Sequence, residues 1–175
     1  ATTEIYTLSL HDALPKLIPL VVVNALAGQA IPVYGDGLQI RDWLYVKDHC
    51  SGIERVLERG HLGEVYNIGG GNEWSNIDII RCVCGVLDKL RPAETSYEGL
   101  IAHVADRPGH DRRYAIDARK LAETLGWSPA YPFEEGILET IRWYLDHPGW
   151  LDRVRSGAYR EYYRLQYGAA PASPG

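Results

Sequence analysis

The 175 residues, with hydrophobic types at 46% and charged types at 23%, have the balance of a folded domain rather than of a disordered chain. The longest apolar run, LIPLVVV, falls well short of the roughly 18 residues of a membrane span, so no membrane partner is expected. Eighteen basic against 23 acidic residues give a net charge of −5, which argues against non-specific nucleic-acid binding but leaves an anionic small ligand open if arginines converge locally.

The first stretch, ATTEIYTLSLHDALP at residues 1–15, lacks the basic start and apolar centre of a secretory signal. Codon by codon it matches one reading frame of a common short-read sequencing adapter. It is therefore expected to be a non-native segment fused to a truncated gene, so Ser9, His11 and Asp12 are not read as a catalytic set. Setting Glu4 and Asp12 aside takes the net charge from −5 to −3.

From Lys16 the pattern alternates short strands with amphipathic helices, as in an α/β chain. KLIPLVVVNALAG suits a helix closed by Gly28, with Pro19 in its first turn, where a missing N–H is tolerated. IPVYGDGLQIRDW reads as a strand, a Gly-Asp-Gly turn and a returning strand, a hairpin that LYV continues. Asp48 is expected to cap a helix carrying Ile53, Val56 and Leu57 as far as Gly60.

GEVYNIGGG reads as a strand ending in glycines, and Ser75 or Asn76 caps a helix whose Ile77, Ile80, Cys84 and Leu87 share one stripe. AHVADRPGHDRRYAID reads as strand, loop and strand, after which Asp117 caps a short helix ending at Gly126. The last strong helix puts Phe133, Ile137, Ile141 and Tyr144 or Leu145 on one face, with Glu134, Glu135, Glu139 and Arg142 toward water. WLDRVRSGAYREYYRLQYG suits a peripheral helix, and residues 169–175 read as a disordered tail.

Catalytic signatures are missing from residues 16–175: there is no Tyr-x-x-x-Lys, no nucleophile elbow and no zinc spacing. Gly69, Gly70 and Gly71 fall short of the dinucleotide fingerprint because Trp74 stands at the third glycine position, so a plain strand-to-helix turn is expected. Cys50, Cys82 and Cys84 form neither a metal pattern nor an even disulfide set, which fits a reducing, cytoplasmic compartment and three packing residues.

Binding chemistry is more visible. DRPGHDRRYAID gathers Arg107, His110, Arg112 and Arg113 around Pro108 and Gly109, and arginine forks match a diphosphate. The alternative is a solvated loop whose arginines pair with Asp106 and Asp111. Arg41 follows the Gly-Asp-Gly turn, Tyr34 either stacks on a planar base beside Pro32 or packs in the core, and Asn67 offers a donor and an acceptor.

In this order, KLIPLVVVNALAG, IPVYGDGLQIRDWLYVKDHC, GEVYNIGGGNEWSNIDII, ADRPGHDRRYAIDARKL and SGAYREYYRLQYG resemble the C-terminal half of the dTDP-glucose 4,6-dehydratase family, within the extended short-chain dehydrogenase/reductases. The resemblance implies an incomplete Rossmann sheet plus a small substrate-binding α/β subdomain, here over residues 16–168. It places Lys16, Leu17, Ile18, Pro19, Leu20 and Val21 along the nucleotide, and Pro32, Val33 and Tyr34 beside the thymine. Arg41, Asn67 and Arg107 fall at the diphosphate, and the loop Asp106, Arg107, Pro108, Gly109 and His110 closes over the nucleotide.

The resemblance also implies a homodimer and an internal redox cycle in which NAD oxidises the sugar, water leaves and the hydride returns. The NAD site and the catalytic residues belong to a missing N-terminal half, so no catalytic residue is assigned and this chain alone is expected to be inactive. Another nucleotide-sugar epimerase, dehydratase or decarboxylase of the same superfamily, or a non-catalytic nucleotide-sugar binding module, remains the alternative.

Overall fold

The computed structural model describes residues 17–106 and 109–156. Helix α1 spans Leu17–Leu26 with Pro19 in its first turn, and it buries Val21, Val22, Val23 and Ala25. Three consecutive valines are poor helix formers, so burial rather than propensity holds this helix. It closes at Gly28, whose φ of 63° is the left-handed conformation expected of a glycine terminator.

Strand β1, Ile31–Tyr34, alternates as the pleat requires: Ile31 and Val33 are buried while Tyr34 turns outward. Its partner is not the strand that follows it. β1 pairs in parallel with β4, Ile101–Val104, in the register Ile31↔Ile101 to Tyr34↔Val104, whereas β2, Ile40–Asp42, pairs antiparallel with β3, Glu73–Ser75. The expected hairpin is therefore corrected to a crossing between two separate two-stranded sheets. Gly37 explains the crossing: its φ is 73°, and a Cβ there would come within 2.7 Å of Val33 Cγ1, so the chain turns hard against the core.

LYV does not prolong β2; helix α2 begins at Val46 and runs to Arg59, with Tyr45 as its N-cap. Asp48 is likewise not a cap. It lies inside the first turn, 2% exposed, and its two carboxylate oxygens accept from the backbone N–H groups of Ala130 (2.9 Å) and Tyr131 (3.2 Å). Ser51, one turn on, accepts the indole N–H of Trp127 at 2.9 Å. Both contacts pin α2 to the segment that follows α4, Arg119–Leu125, and a second core of Leu121, Leu125 and Trp127 with Val56, Tyr66 and Ile68 fills the space between.

The main core is organised by α3, Asn76–Leu90, which packs against α1, α5 (Phe133–Asp146) and the 3-10 turn Tyr97–Leu100. Ser75 caps it by accepting from Asp78 N–H. The stripe of Ile77, Ile80, Cys84 and Leu87 is buried as expected, and Ile79 and Val83 are buried too, because neighbours on several sides need a wider apolar face. On α5, Ile137 and Ile141 point inward, while Glu134, Glu135, Glu139 and Arg142 are exposed. α6, Pro148–Ser156, covers α1 and α5; the rest of the expected tail helix lies outside the described residues.

Two stretches depart from expectation together. Residues 64–71, the VYNIGG run, form no strand, and Val65 is 77% exposed. A strand exists by exchanging ladder hydrogen bonds with a neighbour, and among the described residues none runs beside this one. On α2, Val46, Cys50, Ile53 and Leu57 recur at helical spacing on an exposed face, so Cys50 is not a packing residue. Cys84 is one: burial pushes its thiol up to about 12. No helix among the described residues is long and apolar enough to cross a membrane.

Asp48→Ala should lower the free energy of unfolding by about 3 kcal/mol, since it strands two backbone donors and removes a charged acceptor. Urea denaturation followed by circular dichroism measures this, and a loss below about 1 kcal/mol would contradict the anchoring role.

Candidate functional site

Strand β2 builds one edge of the site. Its pleat sends Asp42 one way and Arg41 the other. The Asp42 carboxylate accepts from Gly70 N–H and Asn72 N–H, both at 2.9 Å, so the glycine-rich turn wraps an internal anion. A Cβ on Gly69 would lie 2.8 Å from Asp42 Oδ2, and one on Gly70 would collide with the Trp43 carbonyl. The strand-to-helix turn expected at Gly69–Gly71 is corrected: no strand precedes these glycines and β3 follows them, and Gly69 and Gly70 serve close approach to β2.

On the other side, Arg41 bonds the carbonyls of Ile40 (2.6 Å) and Asp111 (3.0 Å) and lies 4.5 Å from the centre of the Tyr114 ring. Two neighbouring arginines carry carboxylate partners. Arg112 bonds both oxygens of Asp36 at 2.9 Å, and Arg113 forks onto Glu73 at 2.6 and 2.7 Å. These partners differ from the Asp106 and Asp111 pairing weighed from sequence. Leu38 N–H and then Arg112 hold the Asp36 carboxyl below its ordinary range, as Arg113 does for Glu73. Arg41, by contrast, has no carboxylate partner among the described residues.

The segment from Asp111 to Asp117 is a bridge. Instead of the second strand expected there, it makes a single parallel bridge, Ile40↔Arg113, through Ile40 N–H to Arg112 O (2.8 Å) and Tyr114 N–H to Ile40 O (3.0 Å). At its far end the exposed Asn67 donates its amide to Asp117 O at 3.2 Å. Arg41 and Asn67 therefore hold the same segment at its two ends, and no hydrogen bond joins them to each other. Asp117 accepts from Arg119 N–H at 3.0 Å, one position earlier than a formal cap, and the Arg119 side chain lowers its carboxyl to about 2.

A second group of expected residues meets where β1 and β4 end. Tyr34 is 46% exposed, which removes the core-packing alternative, and Pro32 is half-buried beside it. Asp106 accepts from Gln39 Nε2 at 3.1 Å and lies 2.7 Å from His110 Nδ1, while Gly109 turns with a φ of 69°. Val33 and Val21 sit in the core at 1% and 0% exposure, so their side chains serve packing. Leu17, Ile18, Pro19 and Leu20 are half-buried on α1; Ile18 borders a cavity of about 50 Å³ that Trp43 and Asn72 also line. Lys16, Arg107 and Pro108 lie outside the described residues.

Sequence reasoning missed Gln39, Asp42 and Gly35. The signal for Asp42 was available in principle: a carboxylate directly after a strand arginine, and a later run of glycines with no fingerprint to justify them.

The family model for GDP-mannose 4,6 dehydratase matches residues 8–140. The chain belongs to that family. The match reaches into residues 8–15, part of the segment read from sequence as adapter, and these residues lie outside the described ones. The chain is 55% identical over 152 residues to dTDP-glucose 4,6-dehydratase 1 of Escherichia coli, covering 87% of this chain and 42% of the relative.

Two solved structures superpose well. A dTDP-glucose 4,6-dehydratase from Bacillus anthracis in complex with NAD is 47% identical with a TM-score of 0.70, covering 79% of this chain and 42% of that one. A dTDP-glucose 4,6-dehydratase from Streptomyces venezuelae with NAD and TYD bound is 42% identical with a TM-score of 0.71, covering 79% and 41%. The α/β fold is therefore that of the extended short-chain dehydratases, and the chain spans less than half the length of the relatives it matches.

The ion pairs around the site define an acid response. Carboxyls whose folded-state values lie below the ordinary ones stabilise the fold above that range and stop doing so as pH falls through the folded values. Titration of Asp117 by carboxyl NMR should show a midpoint about 2, and Arg119→Ala should return it toward the ordinary 3.8. A midpoint that stays put in the variant would remove Arg119 as the cause.

Proposed function

We propose that this chain is the nucleotide-sugar-gripping part of a dTDP-glucose 4,6-dehydratase. The single observation that carries the reading is Arg41: a half-buried guanidinium, fixed by two carbonyls and a tyrosine ring, with no carboxylate to neutralise it. Such a group is pre-organised for an external dianion, whereas Arg112 and Arg113 are already matched by Asp36 and Glu73. Tyr34, exposed at the end of β1, offers a face for a planar base.

In this reading Arg41, Asn67 and Arg107 hold the diphosphate, and Leu17–Val21 with Lys16 lie along the nucleotide. Pro32 and Tyr34 flank the base, with Val33 between them contributing backbone while its side chain packs in the core, and the Asp106–His110 loop with Pro108 and Gly109 covers it. Their role is to bind and orient; grip on the remote nucleotide positions the glucose for chemistry elsewhere. NAD supplies the acceptance and return of hydride at the sugar when bound. The glycine turn of this chain does not fit its pyrophosphate, because Gly70 and Asn72 N–H already bind Asp42; in this reading NAD is held by the part of the relatives that this chain does not span. The whole protein acts as a homodimer in the cytoplasm, a setting that three free thiols suit.

The test is a chimera in which residues 17–168 replace the matching part of the Escherichia coli enzyme. It should convert dTDP-glucose to the 4-keto-6-deoxy sugar nucleotide at least a hundredfold more efficiently than UDP-glucose, and the 175-residue chain alone should not. A chimera that folds and holds NAD yet prefers UDP-glucose would overturn the reading in favour of a UDP-sugar enzyme. Arg41→Ala in the chimera should raise KM for dTDP-glucose by roughly ten- to a hundredfold, the worth of a lost charged hydrogen bond. An unchanged KM would return Arg41 to the role of a surface charge.

A further inference from the structure

We infer that Gln39 is a positioning residue of this site: its buried amide holds the Asp106 carboxylate against the Gly35 turn and, through Asp106, fixes His110. The inference rests on the nucleotide-sugar reading above. Gln39 is 2% exposed, and a primary amide buried to that degree is costly unless bonded. Yet among the described residues only half of it is engaged: Nε2 donates to Asp106 Oδ2 at 3.1 Å, while Oε1 is buried with no hydrogen-bond partner there. Packing alone would be served as well by an apolar side chain of the same size. The polar contact that is kept reaches 67 residues along the chain to a charged group beyond the end of β4.

The surroundings show what that contact sets. Gly35 has a φ of 60°, and a Cβ there would come within 2.9 Å of Asp106 Oδ2, so the turn after Tyr34 is shaped to admit this carboxylate. His103 Nδ1 reaches Gly35 O at 2.8 Å and Gly35 N–H donates to Val104 O at 3.0 Å, gripping the turn from the β4 side. The other Asp106 oxygen lies 2.7 Å from His110 Nδ1, and the His110 side chain is 5% exposed. A carboxylate oxygen accepts, so Nδ1 carries the proton and Nε2 is the ring's remaining polar atom. Gln39 stands two residues before Arg41, and Tyr34 directly precedes Gly35. One buried amide thus ties the base-facing turn and the diphosphate-facing strand to the loop that carries His110.

The experiment exchanges the polarity of the contact in the chimera described above. Gln39→Leu removes the donor, Gln39→Glu sets two carboxylates face to face, and Gln39→Glu with Asp106→Asn rebuilds the bond with donor and acceptor reversed. KM and kcat for dTDP-glucose are measured, with calorimetric affinity for dTDP and with NAD content as the check on folding. The expected result is a tenfold or larger rise in KM and in the dTDP dissociation constant for each single Gln39 variant, kcat within twofold, and recovery to within threefold in the exchanged pair. Single variants that bind dTDP like the parent, or an exchanged pair no better than Gln39→Glu, would overturn the inference. A parent chimera that binds no dTDP would instead refute the nucleotide-sugar reading on which it rests.

Discussion

The Asp42 carboxylate is the fixed point of the site. It sits at the end of β2, a strand of only three residues, Ile40–Asp42, too short to hold its direction by ladder bonds alone. By accepting from Gly70 and Asn72 it anchors that strand to the turn that feeds β3, and the antiparallel register Arg41↔Trp74 follows. Because side chains alternate along a strand, anchoring Asp42 inward commits Arg41 to the opposite face. The Arg41 guanidinium therefore owes its aim to a carboxylate on the opposite face of the same strand. Charge-assisted bonds of this kind are among the stronger polar contacts, which suits a strand with little else to fix it.

A second clasp, at Gly35, works on the same principle from the other end of the site. Here too a carboxylate, Asp106, fits against a backbone turn that only a glycine admits, and here too the strand beside it ends in an exposed group, Tyr34. Both turns are built against a carboxylate of the chain itself, half-buried at Asp42 and exposed at Asp106, and beside each an arginine or tyrosine takes another direction. The packed core beneath, with α3 against α1 and α5, supplies rigidity and reaches these strands through Val33, Trp43 and Trp74. Precise placement of a few groups on a rigid scaffold is what a binding site needs, and the two carboxylates provide it locally.

Much of the helical part was legible because its causes are local. The Ile77, Ile80, Cys84, Leu87 stripe, the Ser75 cap and the terminators Gly28 and Gly126 each act within a few residues, and each is found where the periodicity places it. The misreadings share a different cause. The Pro32–Tyr34 and Gln39–Asp42 runs look like a hairpin because they are adjacent, but β1 prefers the distant β4, and nothing local encodes that choice. Asp48 has the residue type of a cap, yet its partners are 82 and 83 residues away. Gln39 carried no signal at all, since its role depends on Asp106 being brought to it by the fold.

The VYNIGG run and the outer face of α2 are best understood as one fact. The run has the composition of a buried strand, yet it makes no ladder, and the helix before it exposes Val46, Ile53 and Leu57 along a continuous stripe with Cys50 among them. In a parallel α/β layer a strand and the helix ahead of it are satisfied by the same neighbour, a sheet that pairs with the one and is covered by the other. Both deficits fall on the same strand–helix unit, while the cores around α3 and α4 are closed. The relatives are more than twice as long as the part this chain matches, which is ample to contain such a sheet. Among the described residues this run has strand composition but no neighbour to pair with, and a strand without its ladder has no reason to form.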